Sequence, residues 1–221
     1  MKTLLSIMGA LALVVAGIYL LGYGPEYRQL AHAPWDVQVE GGRVRAFGVQ
    51  LGEDILARAV DQLGEPEAVT VFVSADGRRS AEAFFGRVEA RGITGRLIAR
   101  LETPPARVLD GVRKKPATGG GWQYPIGDWH AGPLASAVVQ GLSFLPDARG
   151  IDTGVLARRF GHEPEVYVTG ESGRVVWFEP LRVRILETGR GRMVMEYGVD
   201  PQQALPVDLP QGRLDSPAEN R

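Results

Sequence analysis

Residues 151–197 read IDTGVLARRFGHEPEVYVTGESGRVVWFEPLRVRILETGRGRMVMEY. Asp152 or Thr153 can cap a short helix that carries Val155, Leu156 and Phe160 inward. Gly161 stops it and Pro164 lies just beyond, the usual order at a helix end. Residues 165–169 then predict a strand, Glu171-Ser172-Gly173 a turn and residues 174–178 a second strand. Leu181, Val183 and Ile185 alternate with Arg182, Arg184 and Leu186, and Gly189-Arg190-Gly191 turns the chain into residues 193–197. These segments read as consecutive antiparallel hairpins behind one helix.

The same order occurs earlier in the chain. Ile55, Leu56, Ala59, Val60 and Leu63 form one apolar helical stripe, closed by Gly64 and Pro66. Leu56-Ala57-Arg58 matches Leu156-Ala157-Arg158, Val69-Thr70-Val71 corresponds to Val166-Tyr167-Val168, and Asp76-Gly77-Arg78 matches Ser172-Gly173-Arg174. Residues 68–73 are β-rich, and residues 92–102 alternate with period 2. Residues 80–88 fit either a helix face or a buried strand, and residues 134–145 are apolar with their state open. The expected fold class is α+β: one N-terminal transmembrane helix, then two similar units, each a short helix packed on an antiparallel sheet. The expected divisions are an anchor at 1–23, a linker at 24–45, a first unit at 46–102, a Gly/Pro-rich aromatic loop at 103–133, a second unit at 134–199 and a disordered tail at 200–221.

Residues 56–73 and 156–178, with their helix, Gly stop, strand, turn and strand, resemble the small lipoprotein subunit of the outer-membrane β-barrel assembly machinery (BamE/SmpA type). They also resemble tandem αβ repeats of the β-lactamase-inhibitor-protein type. The chain looks like signal-anchored envelope proteins of proteobacteria as well. The resemblance implies a fold used for protein–protein contact. The sequence departs from the lipoprotein pattern because it holds no cysteine at all.

Residues 4–23 are an apolar run interrupted by Ser6 and three glycines. Twenty helical residues span about 30 Å, the thickness of a bilayer core. Lys2 precedes the run, which predicts a cytoplasmic N-terminus and a periplasmic remainder of a single-pass inner-membrane protein. Ala31-His32-Ala33 has the small residues of a cleavage site, but it lies far beyond the apolar run and Pro34 follows it. An uncleaved signal anchor is therefore expected.

Composition narrows the function. The 221 residues carry 25 basic and 26 acidic side chains, a net charge of −1, so a nucleic-acid partner is not expected. The absence of cysteine excludes disulfides, thiolate metal sites and cysteine nucleophiles, and three histidines argue against a histidine-rich metal site. No G-x-S-x-G or phosphate-loop pattern is present. No cofactor, metal or catalytic residue is expected.

The segment of greatest interest is 103–133, with five prolines and six glycines in 31 residues. Trp122, Tyr124, Trp129 and His130 fall within it, behind the basic triplet Arg113-Lys114-Lys115. Large aromatics on loops are costly to leave in water and are enriched at binding hot spots. These four residues are the candidate partner-binding site of a non-catalytic protein that holds or stabilises a protein partner in the cell envelope. Two alternatives carry their own residues. A small-ligand or lipid cavity would be lined by Phe84, Phe85, Leu142, Phe144 and Trp177. An enzyme would use Asp128, His130 and a glutamate from one of the repeats, where Glu65 and Glu67 flank Pro66 and Glu163 and Glu165 flank Pro164.

Overall fold

Period-2 alternation dominates the computed structural model, which describes residues 27–118, 120–149, 151–169, 173–187 and 191–200. The first half of the described chain forms β1 (Arg28–Leu30), β2 (Val37–Glu40), β3 (Arg43–Ala46), β4 (Val49–Gln50), α1 (Leu56–Leu63), β5 (Ala68–Val73), β6 (Arg79–Ala90) and β7 (Ile93–Leu101). The second forms β8 (Lys115–Pro116), β9 (Trp122–Ile126), β10 (Val139–Pro146), α2 (Thr153–Phe160), β11 (Glu165–Thr169), β12 (Gly173–Phe178), β13 (Val183–Glu187) and β14 (Met193–Tyr197). Eleven of the strands make one sheet, in the order β11-β12-β13-β14-β10-β7-β6-β5-β9-β8, with β1 added in parallel beside β6. A second sheet, β2-β3-β4, has three strands.

The expectation of two separate helix-on-sheet units is corrected by this topology. The chain is mostly β, and its two groups of strands are fused. The joining element is β10, which pairs antiparallel with β7 on one side and β14 on the other, so Phe144 lies opposite both Leu97 and Met195. An unpaired strand edge exposes a row of amide and carbonyl groups. The apolar run over 134–145 supplies the strand that satisfies both edges. The buried side chains follow suit: Leu56, Phe85 and Leu97 share one continuous core with Leu156, Phe178 and Tyr197.

The expected single-pass inner-membrane architecture is corrected as well. Among the described residues no helix is long and apolar enough to cross a membrane. The two α-helices among the described residues have eight residues each, about 12 Å of rise against a bilayer core of about 30 Å. Residues 4–23, and all of the tail expected at 200–221 except its first residue, lie outside the described residues.

One face of the large sheet carries the core. β6 keeps its apolar residues there over its whole length by means of a bulge. Ala81, Ala83 and Phe85 point inward before Gly86, Val88 and Ala90 after it, and the register with β7 shifts between Phe84 and Arg87. Gly86 sits at φ +74, where a glycine is tolerated without strain. The shift also divides the other side of β6, so that β5 pairs with its first half and β1 with its end.

The β3–β4 turn packs on this face. Phe47, buried at a left-handed φ of 51°, meets the Phe144 ring at 5.7 Å and the Tyr197 ring edge-on at 5.3 Å. The Tyr197 hydroxyl donates to the Pro34 carbonyl at 2.9 Å across 163 positions of sequence. Burial pushes the Tyr197 phenol well above its ordinary pKa.

The helices are held at their ends by different means. α1 has no side-chain cap. Its first amides donate instead to the backbone, Leu56 to Ala137 O at 2.9 Å and Ala57 to Ala135 O at 3.0 Å. At the other end Arg28 Nη1 donates to Leu63 O at 3.0 Å. Of the two candidate caps of α2 it is Asp152 that acts: its carboxylate accepts from the amides of Gly154 at 2.8 Å and Val155 at 3.2 Å, and Gly161 closes the helix in the left-handed region. Asp152→Ala is expected to cost about 1 kcal/mol of stability. Urea denaturation would show it as a lower midpoint with an unchanged slope.

Candidate functional site

The aromatic segment does not stay a loop where it passes Trp122. Gly121, at φ +86, lets the chain run close against β5: a Cβ there would stand 2.2 Å from the Val73 carbonyl oxygen. The chain then continues as β9, pairing with β5 on one side, so Trp122 lies opposite Val73 and Tyr124 opposite Val71. On its other side, among the described residues, only Trp122 and Gln123 are covered, by Pro116 and Lys115 of β8. Gln123 Nε2 donates to the Pro116 carbonyl at 3.1 Å and fixes this short hairpin.

The four sequence-selected residues separate on this frame. Trp122 is 40% exposed, one of few large apolar side chains so placed. Lys114 Nζ stands 4.0 Å from the centroid of its ring, a cation–π contact. Tyr124 is half-buried and packs on the core. Trp129 is 5% exposed and belongs to the core itself. His130 stacks on Trp129 at a ring separation of 3.7 Å and points its Nε2 at Glu65 Oε2, 3.3 Å away. The His130 and Glu65 side chains are each 58% exposed. Trp122 is thus the most exposed of the three large aromatic rings, Tyr124 and Trp129 anchor the strand and the turn after it, and His130 ties that turn to the end of α1.

The surroundings of Trp122 are basic. Arg113, Lys114 and Lys115 are all exposed. Arg79 lies opposite Val73 on the far side of β5, and its Nε is buried without a hydrogen-bond partner among the described residues. In the β5–β6 turn Arg78 is paired with Asp76, Nε to Oδ2, at 2.7 Å. The Ser74 hydroxyl, followed by the Arg78 amide and side chain, holds the Asp76 carboxyl below its ordinary value.

The residues of the alternative ligand cavity do not assemble, whereas His130 of the enzyme alternative does meet a glutamate, Glu65, in a contact open to solvent. Phe85, Leu142 and Phe144 are buried on the inner face, whereas Phe84 pairs across from Ile98 on the outer face. Trp177 belongs to a separate outer cluster with Val199. A cavity of about 330 Å3 opens elsewhere, beside His32, Trp35, Asp36, Gln38 and Arg45. Among the described residues no three metal-ligating side chains converge.

Sequence reasoning missed Glu82. It is half-buried on the outer face of β6, opposite Thr70 and Arg100. Burial raises its pKa from 4.5 to about 7, against the pull of Arg100. Its only sequence signal is a charged residue at an alternating position, which is what a solvated sheet face also shows.

The chain matches no known family model. Neither curated proteins nor solved structures give a match.

Proposed function

We propose that the protein is a non-catalytic binding module that docks a protein partner on the Trp122 end of its large sheet. The observation that carries this reading is a 40% exposed indole held in a defined orientation by β-pairing on both sides and by Lys114 on its ring. A rigid aromatic anchor loses little conformational entropy on binding, and such anchors dominate interface energetics. The basic rim of Arg113, Lys114 and Lys115 favours a partner surface with an apolar centre bordered by carboxylates. The resemblance of residues 56–73 and 156–178 to protein-contact folds points the same way.

Trp122→Ala is expected to leave stability within about 0.5–1 kcal/mol, because the ring is largely outside the core. It is expected to weaken partner capture at least about tenfold, the loss of a hot-spot side chain. The check is cross-linking of the full-length chain in its native cells, quantified by mass spectrometry against His130→Ala. A protein lost with Trp122→Ala and retained with His130→Ala supports the reading. A set of cross-linked proteins unchanged by Trp122→Ala would overturn it.

A further inference from the structure

The two ends of the large sheet are finished differently. At one end the edge strand is β8, two residues long, Lys115 and Pro116. A short edge carrying a lysine and a proline resists pairing with another chain. At the other end the edge strand is β11, five residues reading Glu165-Val166-Tyr167-Val168-Thr169, with no lysine, proline or glycine. Its inner side is fully paired to β12, from Glu165 opposite Trp177 to Thr169 opposite Gly173. Among the described residues no strand pairs with its outer side. Val168 is 47% exposed, more than any other large apolar side chain of the described sheet.

We infer that β11 pairs antiparallel with β11 of a second copy of this chain across a two-fold axis at Tyr167. The register argues for a second copy over a foreign strand. Centred on Tyr167, it sets Val166 against Val168 twice, giving two β-branched cross-strand pairs. It sets Glu165, the only charged residue, against Thr169. No like charges oppose each other, and the Glu165 carboxylate already accepts from the Tyr167 hydroxyl within its own strand. The pairing is isologous, so it closes at two copies and does not propagate. Five residues make a small interface, which predicts a weak, concentration-dependent dimer in the micromolar range. This surface lies at the opposite end of the strand order from Trp122, so each copy would keep its Trp122 edge.

The chain has no cysteine, so a single introduced thiol reports one position. Directly opposed residues of an antiparallel pair lie at about 4.5–5.5 Å between Cα atoms, within disulfide range. Tyr167→Cys in the full-length chain is expected to form a disulfide-linked dimer under mild oxidation, whereas Val168→Cys alone is not. A mixture of Val166→Cys and Val168→Cys chains is expected to cross-link with each other. In sedimentation velocity Val168→Lys should weaken the dimer about tenfold or more, and Val168→Thr, which keeps the strand propensity, should retain it. Absence of the 167–167 disulfide, from association through another surface or from β11 being covered by another segment of its own chain, would overturn the inference. So would a dimer indifferent to Val168→Lys.

Discussion

Phe144→Ala is expected to lower the unfolding free energy by about 3–5 kcal/mol, the range for truncating a fully buried phenylalanine. The ring has no solvent exposure and sits on β10 between Leu97 of β7 and Met195 of β14, with Phe47 against it. Collapse around the deletion is restricted, because the pocket walls are paired strands. Gly95 is one of these walls: a Cβ there would already meet the Leu145 carbonyl oxygen and the Phe144 ring at 2.6 Å. The loss should be shared by both halves of the chain. Urea unfolding followed by far-ultraviolet circular dichroism and by tryptophan fluorescence is expected to shift to one lower, coincident midpoint. A loss confined to one of two separated transitions would mean that the halves fold independently.

Glu82→Gln is expected to change the pH dependence of stability. The carboxyl titrates near 7 in the folded chain against 4.5 ordinarily, so the folded state holds the proton more tightly. Below pH 4.5 the group is protonated in both states and its contribution is complete. As the pH rises through 4.5 towards 7 the unfolded chain gives up its proton first, and stability falls. The total is about 3 kcal/mol, and above pH 7 it stays lost. Glutamine keeps a neutral side chain of the same shape. The variant should match the parent near pH 4 and exceed it by up to about 3 kcal/mol at pH 8. Denaturation at both pH values checks this. An equal difference at the two would show that the Glu82 carboxyl has the same pKa in the folded and the unfolded chain.

Local signals in the sequence are enough for α2 and the strands that follow it. α2 carries its cap at Asp152, its inward Leu156 and Phe160 and its stop at Gly161 within ten residues, and each performs the role its type predicts. In the hairpins after it β13 keeps Val183 and Ile185 inward in alternation, whereas β12 and β14 are buried on both faces over most of their length. The pairing of β10 with both β7 and β14 is a non-local event, and no residue of 139–146 names its neighbours. A repeated helix and strand pattern therefore suggested two bodies where one sheet forms.

The β3–β4 turn was hidden for another reason. Tight hairpins of this kind favour Asn-Gly or Asp-Gly, whereas here Phe47 takes the left-handed position and is kept there by Phe144 and Tyr197.

The aromatic segment shows what composition conceals. Glycine and proline over 103–133 suggest a loop, and Pro125 argues against a strand at its centre. β8 covers only Trp122 and Gln123, so Pro125 stands beyond the partner's reach and removes no donor that β8 would use. Trp122 and Trp129 have the same residue type and the same setting in sequence. Only the fold separates the exposed ring from the one packed in the core.

A single body is the premise of both contact surfaces, because it holds Trp122 and β11 rigidly at opposite ends of one sheet. Native-state hydrogen exchange tests this most directly. The slowest amides of β6 and β7 and those of β10, β13 and β14 should exchange through the same global opening, with one free energy and one denaturant slope. Two distinct free energies, one for β6 and β7 and another for β13 and β14, would contradict it.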